Sequence, residues 1–359
     1  MTAISPAREA SFQILQQVEK GGYASDLLRL RCAALPARDA ALPQSLVFGC
    51  LRRQSEIDFL TGHYAGKQGI KLDDAVRIAL RMGIFQLRYL DRIPAHSAVG
   101  ESVELVKRAR KRSAAGFVNA VLRKVNRELV KWPDRATELN IPAWMLQRWE
   151  SRYGREAAEG IARAALDAPE IEVNPETGRV QDVGARTIVP LLAIQPGMTV
   201  LDVCAAPGNK TAQALAAGAR VMACDRYPKR LAEVPTEVAG NANCVRVAAD
   251  ATFPLPFASK FDRVLVDAPC SGTGTMGRNP EIKWRLREAD LAVFQERQRK
   301  ILENAMACVA PGGKLVYATC SLEPEENENV VEGWRVEKTM LRLPGRDAGD
   351  GFFAAVIVP

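Results

Sequence analysis

The sequence predicts two domains, an all-α helical bundle followed by an α/β domain with a mostly parallel sheet. In residues 1–130 apolar side chains recur at helical spacing, as Phe12, Leu15 and Val18 do. After about residue 187, short apolar runs that end in Gly, Pro or Asp alternate with helix-length stretches. This alternation is typical of parallel strands joined by crossover helices. At 359 residues the chain is long enough for two such domains.

The individual elements follow from the same patterns. Pro is favoured in the first turn of a helix, so Ser5 and Pro6 predict the start of the first helix. Further helices of the first region are predicted at residues 39–53, 73–89, 97–108 and 116–130, and a polar helix is predicted near 146–166. The predicted strands of the second region are 199–203, 220–223, 244–248, 263–266, 314–318, 340–343 and 352–358.

The charge of the chain is unevenly distributed. The formal net charge is +7, and residues 1–130 hold 21 Lys and Arg against 12 Asp and Glu. Such an N-terminal excess of positive charge favours an acidic partner such as nucleic acid. The longest stretch without a charged residue, 187–201, is too short to span a membrane. Because Arg8 and Glu9 stand where a signal peptide needs an apolar run, we expect a cytoplasmic protein with no membrane segment.

The eight cysteines are predicted to be reduced thiols, as is usual in a protein of a reducing compartment. No two of them form a C-x-x-C pair, and the chain has only two histidines, so the sequence predicts no metal site. A small buried apolar side chain is the ordinary role of Cys. We assign that role to Cys32, Cys50, Cys224, Cys244 and Cys308.

The first strand of the second region runs into a turn of small residues that opens a helix. Small side chains and a glycine let the backbone approach a ligand there, and the amides of the helix N-terminus are then available to it. A tight turn without a ligand is the alternative for this segment taken alone. The candidate cofactor-binding residues of the turn are Cys204, Ala205, Ala206, Pro207, Gly208, Asn209 and Lys210.

Three further strands end in aspartates. Asp225, Asp250 and Asp267 close the second, third and fourth predicted strands, whose carboxyl ends meet at one edge of a parallel sheet. A carboxylate there can accept hydrogen bonds from both hydroxyls of a ribose. One such Asp is more often a helix cap. Three in succession suit a nucleoside cofactor with a cationic amino-acid tail, and we infer S-adenosylmethionine.

Two cysteines, Cys270 and Cys320, follow the fourth and fifth strands over the same crevice. A thiolate is favoured near cations and helix N-termini, so these positions predict nucleophilic chemistry. Carbon 5 of a pyrimidine is a poor nucleophile, and a methyltransferase that acts on it must first add a thiolate to carbon 6. An Asp that holds or shares a proton would stabilise the adduct at ring nitrogen 3, and a base would then remove the proton from carbon 5.

These motifs resemble those of the RNA 5-methylcytosine methyltransferases of the RsmB/Sun (Fmu) type. The resemblance is carried by residues 202–211, 267–274 and 319–327, and it covers most of the chain, with further similar segments at 23–26, 92–96, 116–123 and 349–353. It implies an N-terminal NusB-like all-α domain that binds RNA. It also implies a C-terminal Rossmann-like class I methyltransferase domain with a mostly parallel seven-stranded sheet.

The resemblance assigns the cofactor-binding residues. The turn 204–210 would wrap S-adenosylmethionine, with Asp225 on the ribose and Asp250 near the adenine. Asp267 would lie near the methionine end and the target base.

The resemblance also assigns the catalytic residues, which include Asp267. Cys320 would be the nucleophile and Cys270 would assist product release. Lys210 would lie close to the reacting centre. Without the resemblance, a solvated residue at a helix start is an equally good interpretation of Lys210.

The sequence departs from the family pattern at two places. Asn209 stands where the family commonly has Gly, and Asn tolerates left-handed backbone angles, so we expect the turn to be kept. Only six residues separate Asn174 from Gln181, where typical members insert an RNA-recognition-like subdomain. Most of that subdomain is predicted to be missing. The predicted domains are a NusB-like domain at 1–130, a linker with a helix and the reduced subdomain at 131–186, and a methyltransferase domain at 187–359.

The predicted function is methylation of carbon 5 of a cytosine in 16S ribosomal RNA, by a monomer that binds RNA and no metal. Two alternatives stay open. The substrate could be transfer RNA, or the protein could be an RNA-binding assembly factor whose cofactor domain is vestigial. The basic residues within 107–112 form either a solvated loop or a phosphate contact. The acidic run 323–328 is interpreted as the cap and start of a helix.

Overall fold

The computed structural model describes residues 3–33, 35, 36, 39, 41–232, 234 and 236–359. Contacts divide the chain into two compact units. Unit 1 comprises Met1–Asp167 and Gly277–Arg285, and unit 2 comprises Ala168–Met276 and Leu286–Pro359. The predicted linker 131–186 is therefore divided at residue 167. Its first part packs in unit 1, where Glu56 N donates a hydrogen bond to Asn140 Oδ1 (3.1 Å).

Unit 1 is all-α over the described residues, which confirms the helical bundle predicted for the first region. Its core is built around α5, whose N-terminus is capped by Asp73 through a hydrogen bond from Ala75 N (3.0 Å). Leu80, Met82 and Ile84 of this helix are fully buried. The helices are α1 (Pro6–Val18), α2 (Ala24–Cys32), α3 (Ala41–Arg52), α4 (Gln54–Ala65), α5 (Asp74–Tyr89), α6 (Ala95–Arg108), α7 (Ala115–Leu122), α8 (Arg135–Glu138), α9 (Ala143–Tyr153) and α10 (Arg155–Ala164).

Two predicted helices have different bounds in the structure. The predicted helix 39–53 corresponds to α3, and Ala40 lies outside the described residues. The helix α4 that follows α3 was not predicted. The predicted helix 146–166 is divided into α9 and α10, because Gly154 adopts φ 82°, which a helix cannot accommodate.

A third predicted helix, 116–130, ends early, at Leu122. Beyond it the backbone carbonyls bond to a side chain rather than to the next helical turn. Arg88 donates hydrogen bonds to Asn126 O (2.7 Å) and Glu128 O (2.8 Å). Apolar spacing alone does not show such a competing donor.

The segment Gly277–Arg285 belongs to unit 1 through its contacts. Its short helix α15 (Ile282–Arg285) meets the C-terminal end of α3. There Trp284 Nε1 donates to Leu51 O (2.7 Å) and Lys283 Nζ donates to Arg52 O (2.8 Å). Burial, together with the charge of Arg52, lowers the pKa of Lys283 to about 7.

Unit 2 is built on a seven-stranded sheet with the order β3-β2-β1-β4-β5-β7-β6. Neighbouring strands from β3 to β5 are parallel, whereas β7 is antiparallel to both β5 and β6. The predicted α/β fold with a mostly parallel sheet is confirmed. The strands are β1 (Thr199–Asp202), β2 (Arg220–Asp225), β3 (Cys244–Ala248), β4 (Phe261–Asp267), β5 (Val309–Thr319), β6 (Arg335–Arg342) and β7 (Phe352–Val358).

The central strands β4 and β5 are buried on both faces, as strands covered by helices are. The order of the sheet reverses between β1 and β4, and in such folds the crevice at the carboxyl ends of these strands receives the ligand. The helices of unit 2 are α11 (Val183–Arg186), α12 (Asn209–Ala216), α13 (Pro228–Ala232), α14 (Thr236–Ala239), α16 (Asp290–Met306) and α17 (Glu328–Val331).

A small hairpin occupies the place where the reduced subdomain was predicted. Val173 and Val180 form an isolated antiparallel bridge. Behind it, buried amides connect the hairpin to α12: Asn174 Nδ2 donates to Gln181 Oε1 (2.8 Å), and Gln181 Nε2 donates to Gln213 Oε1 (2.7 Å). The short segment is thus anchored to unit 2.

Candidate active site

A cavity of about 320 Å³ lies at the carboxyl ends of β1, β2, β3, β4 and β5. Parallel strands bring residues that are far apart in sequence to this one edge. The predicted site residues that line the cavity are Cys204, Ala206, Lys210, Asp225, Asp250, Asp267, Cys270 and Cys320.

The other four residues of the predicted cofactor turn do not line this cavity. Ala205 is buried and its N–H donates to Cys224 O (2.7 Å). Pro207 is exposed, and Gly208 adopts φ 97° at the start of α12, a left-handed conformation that favours glycine. Asn209 points to the hairpin rather than to the cavity. These residues give the turn its shape.

Asn209, at the position where the resemblance implies Gly, connects the hairpin to α12. Its Oδ1 accepts a hydrogen bond from Arg179 Nε (2.8 Å) and its Nδ2 donates to Val180 O (3.2 Å). The departure from the family pattern therefore has a structural use in this chain.

Asp225 and Asp250 each stabilise a turn at a strand end. Asp225 Oδ1 accepts from Tyr227 N (2.9 Å) and Asp250 Oδ1 accepts from Thr252 N (3.0 Å). Asp250 Oδ2 also lies 3.0 Å from Arg226 Nε. Burial raises the pKa of Asp250, but the bonds from Thr252 and the charge of Arg226 lower it overall. Both carboxylates are oriented by the turns and line the cavity.

Lys210 and Asp267 form an ion pair in the cavity. Lys210 Nζ lies 2.6 Å from Asp267 Oδ2 and 5.5 Å from the centre of the Phe352 ring. The lysine side chain is 13% exposed, which does not agree with a solvated residue. Burial lowers its pKa, but the charge and hydrogen bond of Asp267 outweigh burial, so the pKa of Lys210 lies above its usual value. Lys210 is a fixed cation beside the thiols.

The two candidate catalytic thiols are in contact, with Cys270 Sγ 3.4 Å from Cys320 Sγ. The hydrogen bond to Cys320, burial and nearby negative charge raise the pKa of Cys270 well above its usual value. Either sulfur can be the donor in this contact. The turns that carry them touch at Gly274, whose N–H donates to Cys320 O (2.8 Å), and a Cβ at Gly274 would lie 2.4 Å from Gly351 O.

A further strand-end aspartate, Asp202, does not line the cavity, but it is close enough to Asp267 and Lys210 for their charges to act on it, and it is not among the predicted residues. It is the last residue of β1, and it is buried, with Oδ2 accepting from Thr211 Oγ1 (2.7 Å). Its Oδ1 has no hydrogen-bond partner among the residues that the structure describes. Burial, followed by the charges of Asp267 and Asp225, raises the pKa of Asp202 to about 7. Its position at a strand end, shared with the three predicted aspartates, was the available signal.

Sequence reasoning also missed Glu326. The acidic run 323–328 was interpreted as a helix cap and start, and α17 does begin at Glu328. Glu326 itself, however, is 0% exposed and accepts hydrogen bonds from both thiol-bearing turns. No local signal separates it from the other glutamates of the run.

The donor set of the cavity fits a nucleoside cofactor with a cationic tail. Carboxylates lie at three different strand ends, and Ala251 and Ile301 add apolar surface.

Within the described ranges, no group of three or more His, Cys, Asp or Glu side chains is arranged to hold a metal ion. None of the described helices is long and apolar enough to cross a bilayer.

The sheet order, the single antiparallel strand β7 and the acidic edge define the class of the protein. It is a Rossmann-like class I methyltransferase that uses a methyl donor of the S-adenosylmethionine type. Residues 189–340 match the family described as 16S rRNA methyltransferase RsmB/F, and residues 5–127 match the NusB family. The chain belongs to the RsmB family of RNA methyltransferases, as the resemblance predicted.

Relatives named ribosomal RNA small subunit methyltransferase B align with nearly the whole of this chain. The sequence is 31% identical over 423 aligned positions to ribosomal RNA small subunit methyltransferase B of Cronobacter sakazakii, with 97% of each chain covered. It is 30% identical to the protein of that name from Vibrio cholerae, with 97% of this chain and 96% of the relative covered. An alignment of 423 positions against 359 residues leaves at least 64 positions with no residue of this chain.

Two solved structures share the fold. The crystal structure of PH0851 matches over 100% of both chains with a TM-score of 0.80 and 21% identity. A methyltransferase homologue from Pyrococcus horikoshii matches with a TM-score of 0.53 and 24% identity, over 63% of this chain and 99% of its own.

Proposed function

We propose that the protein transfers a methyl group from S-adenosylmethionine to carbon 5 of a cytosine in 16S ribosomal RNA, with Cys320 as the nucleophile. The observation that carries the proposal is the contact of Cys270 Sγ and Cys320 Sγ, 3.4 Å apart in the acidic cavity. Methylation of an exocyclic amine would need no thiol. The names of the relatives support ribosomal RNA as the substrate.

The cavity supplies the groups that would hold the cofactor. Asp225 would accept from the ribose hydroxyls, Asp250 would lie towards the adenine, and Asp267 towards the amino-acid end and the target base. The backbone of the turn 204–210 would follow the cofactor's edge. When bound, S-adenosylmethionine supplies an electrophilic methyl group to carbon 5.

The protein's own residues carry the remaining chemistry. Cys320 Sγ, as a thiolate, forms a bond to carbon 6 of the cytosine, and ring nitrogen 3 takes a proton from the Lys210–Asp267 pair. The electrons released into the ring make carbon 5 nucleophilic. After methylation, carbon 5 loses its proton to a base, the bond from Sγ to carbon 6 breaks, and ring nitrogen 3 returns its proton. Cys270 assists this release.

Unit 1 is proposed to hold the RNA. Arg110 and Arg112 are exposed and have no ion-pair partner among the described side chains, whereas Lys107, Arg108 and Lys111 are each paired with a carboxylate. Unpaired arginines are available to phosphates. We infer a cytoplasmic protein, because the proposed substrate is ribosomal RNA.

The proposal is tested by bisulfite maps of total RNA from cells with and without this protein. We expect one methylcytosine to disappear from 16S ribosomal RNA and to return with the wild-type gene but not with Cys320→Ala. Loss from a transfer RNA instead would identify the alternative substrate. An unchanged map with impaired ribosome assembly would favour the assembly-factor alternative.

A further inference from the structure

Glu326 lies at the centre of a hydrogen-bond network that the proposed chemistry does not use. Its buried carboxylate accepts hydrogen bonds from Ser271 N (2.8 Å), Ser321 Oγ (2.5 Å) and Gln298 Nε2 (3.0 Å). The hydroxyl of Ser271 donates to it as well. The three donors come from the turn after β4, the turn after β5 and helix α16. One carboxylate thus joins three elements of unit 2.

Two of these donors directly follow the thiols in sequence. Ser271 comes after Cys270 and Ser321 after Cys320, so the carboxylate fixes the chain on both sides of the thiol pair. The two serine hydroxyls also lie 3.2 Å apart. The network therefore sets the separation of the two Sγ atoms.

The charge of Glu326 acts on Cys270 in addition to its hydrogen bonds. All its donors in the described part of the chain are neutral. A neutral amide could accept through its oxygen from Ser271 N and Gln298 Nε2, while its NH2 group would donate to the two serine hydroxyls. After the hydrogen bond to Cys320 and burial, negative charge at Cys320 and Glu326 raises the pKa of Cys270 further.

We propose that Glu326 is a positioning residue that holds the thiols in contact and keeps Cys270 protonated, so that Cys320 alone attacks the base. The inference rests on the proposed function, because it assigns the nucleophilic role to Cys320. It adds to that function the element that distinguishes the two thiols.

Other groups around Cys270 are kept unchanged in the test. Burial raises the pKa of Tyr317 well above its usual value, so its hydroxyl stays neutral. The groups near Cys270 or in the same cavity that carry or can carry charge are, besides Glu326, Cys204, Lys210, Asp225, Arg226, Tyr227, Arg230, Asp250, Asp267, Arg297, Tyr317 and Cys320.

The test measures alkylation of Cys270 by iodoacetamide in the Cys320→Ser protein as a function of pH, with the modified peptide identified by mass. Adding Glu326→Gln should move the pH profile of Cys270 to lower pH and raise the rate at a fixed pH by about tenfold, which corresponds to about one pH unit. Adding Glu326→Asp, which keeps the charge, should leave the rate within about twofold of the parent. Glu332→Gln removes an exposed charge after α17 and serves as the matched control.

An unchanged profile in Glu326→Gln overturns the proposal. So does an equal acceleration in Glu326→Asp, since opening of the turns would then be the cause. If Glu326→Gln does not fold, the alkylation rate of Cys320 in the Cys270→Ser protein is compared with that of Cys270 in the Cys320→Ser protein. Cys320 should react at least about tenfold faster, and equal rates overturn the proposal. The assay contains no RNA or cofactor, so its result is independent of whether the wild-type protein methylates RNA.

Discussion

Lys210 Nζ lies 2.6 Å from Asp267 Oδ2, although the two residues are 57 positions apart in sequence. They meet because Lys210 lies in the first turn of the helix after β1, Asp267 ends β4, and these strands are neighbours in the sheet. The pair places a fixed cation and a carboxylate beside the thiols. We expect it to orient Asp267 on the target base and to share a proton with it.

Lys210→Met should reduce the rate of methyl transfer by about 100-fold, because Asp267 loses the cation that orients it. The change is measured as initial rates with labelled S-adenosylmethionine. Lys300→Met, which breaks an exposed ion pair with Glu296, is the matched control and should stay within about twofold. A Lys210→Met enzyme as fast as the control would remove the pair from the mechanism.

The raised pKa of Asp202, about 7 against an ordinary 3.8, predicts a pH-dependent stability. As pH rises from the ordinary pKa to the raised pKa, the unfolded chain loses the proton of Asp202 while the folded protein keeps it, so the folded state loses stability. The loss is at most about 1.4 kcal/mol per pH unit and ends near the folded pKa. The free energy of unfolding of Asp202→Asn, measured with urea, should therefore rise relative to that of the wild type between about pH 4 and about pH 7.

The control for Asp202 is Asp262, for which the expected pH dependence of stability has the opposite sign. Hydrogen bonds from Thr199 lower the pKa of Asp262. Asp262→Asn should be less stable than the wild type at neutral pH, and the difference should shrink as pH falls through the lowered pKa. A parallel pH dependence of the two variants would contradict both assignments.

Asn209→Gly, which introduces the residue that the resemblance implies at this position, should loosen the hairpin at 173–181. The variant loses the bonds to Arg179 Nε and Val180 O, and Gly costs about 1 kcal/mol at a helix position. Hydrogen exchange of the hairpin amides should accelerate, whereas cofactor affinity should change by less than about threefold. Arg179→Gln should accelerate the same amides. Unchanged exchange in both variants would show that the contact does not hold the hairpin.

Replacing both Arg110 and Arg112 by Gln should weaken the binding of RNA to a similar extent whatever the sequence of the RNA. Two lost phosphate contacts should reduce the slope of log affinity against log salt by about 2. The control is the double change of Arg29 and Arg31, exposed arginines of α2 that are bonded to Asp26 and Gln13. Equal losses in the two double variants would indicate a general charge effect rather than a site.

The strand ends were predictable because the sequence marks them locally. An apolar run that stops at an acidic or small residue identifies both the strand and its carboxyl end, and parallel pairing then places Asp225, Asp267 and Cys320 at one edge. The thiol pair followed from the same reasoning. Its 3.4 Å contact did not, since it depends on how two turns approach at Gly274.

What the sequence did not predict depends on contacts between distant segments. Glu326 and Ser271 are 55 positions apart, and Lys283 reaches Arg52 across 231 positions. The end of α7 at Leu122 depends on the side chain of Arg88. Periodicity reports which face of an element is buried, but it does not report which partner covers it.

The central claim is that Cys320 is the nucleophile and that Cys270 is needed for its release. The most direct measurement incubates the purified variants with 16S ribosomal RNA and S-adenosylmethionine and resolves protein-bound RNA on a denaturing gel. Cys270→Ala should accumulate a covalent protein–RNA adduct, whereas Cys320→Ala and the double variant should form neither adduct nor methylated RNA. Near-normal methylation by Cys320→Ala, or an adduct in the double variant, would contradict the account.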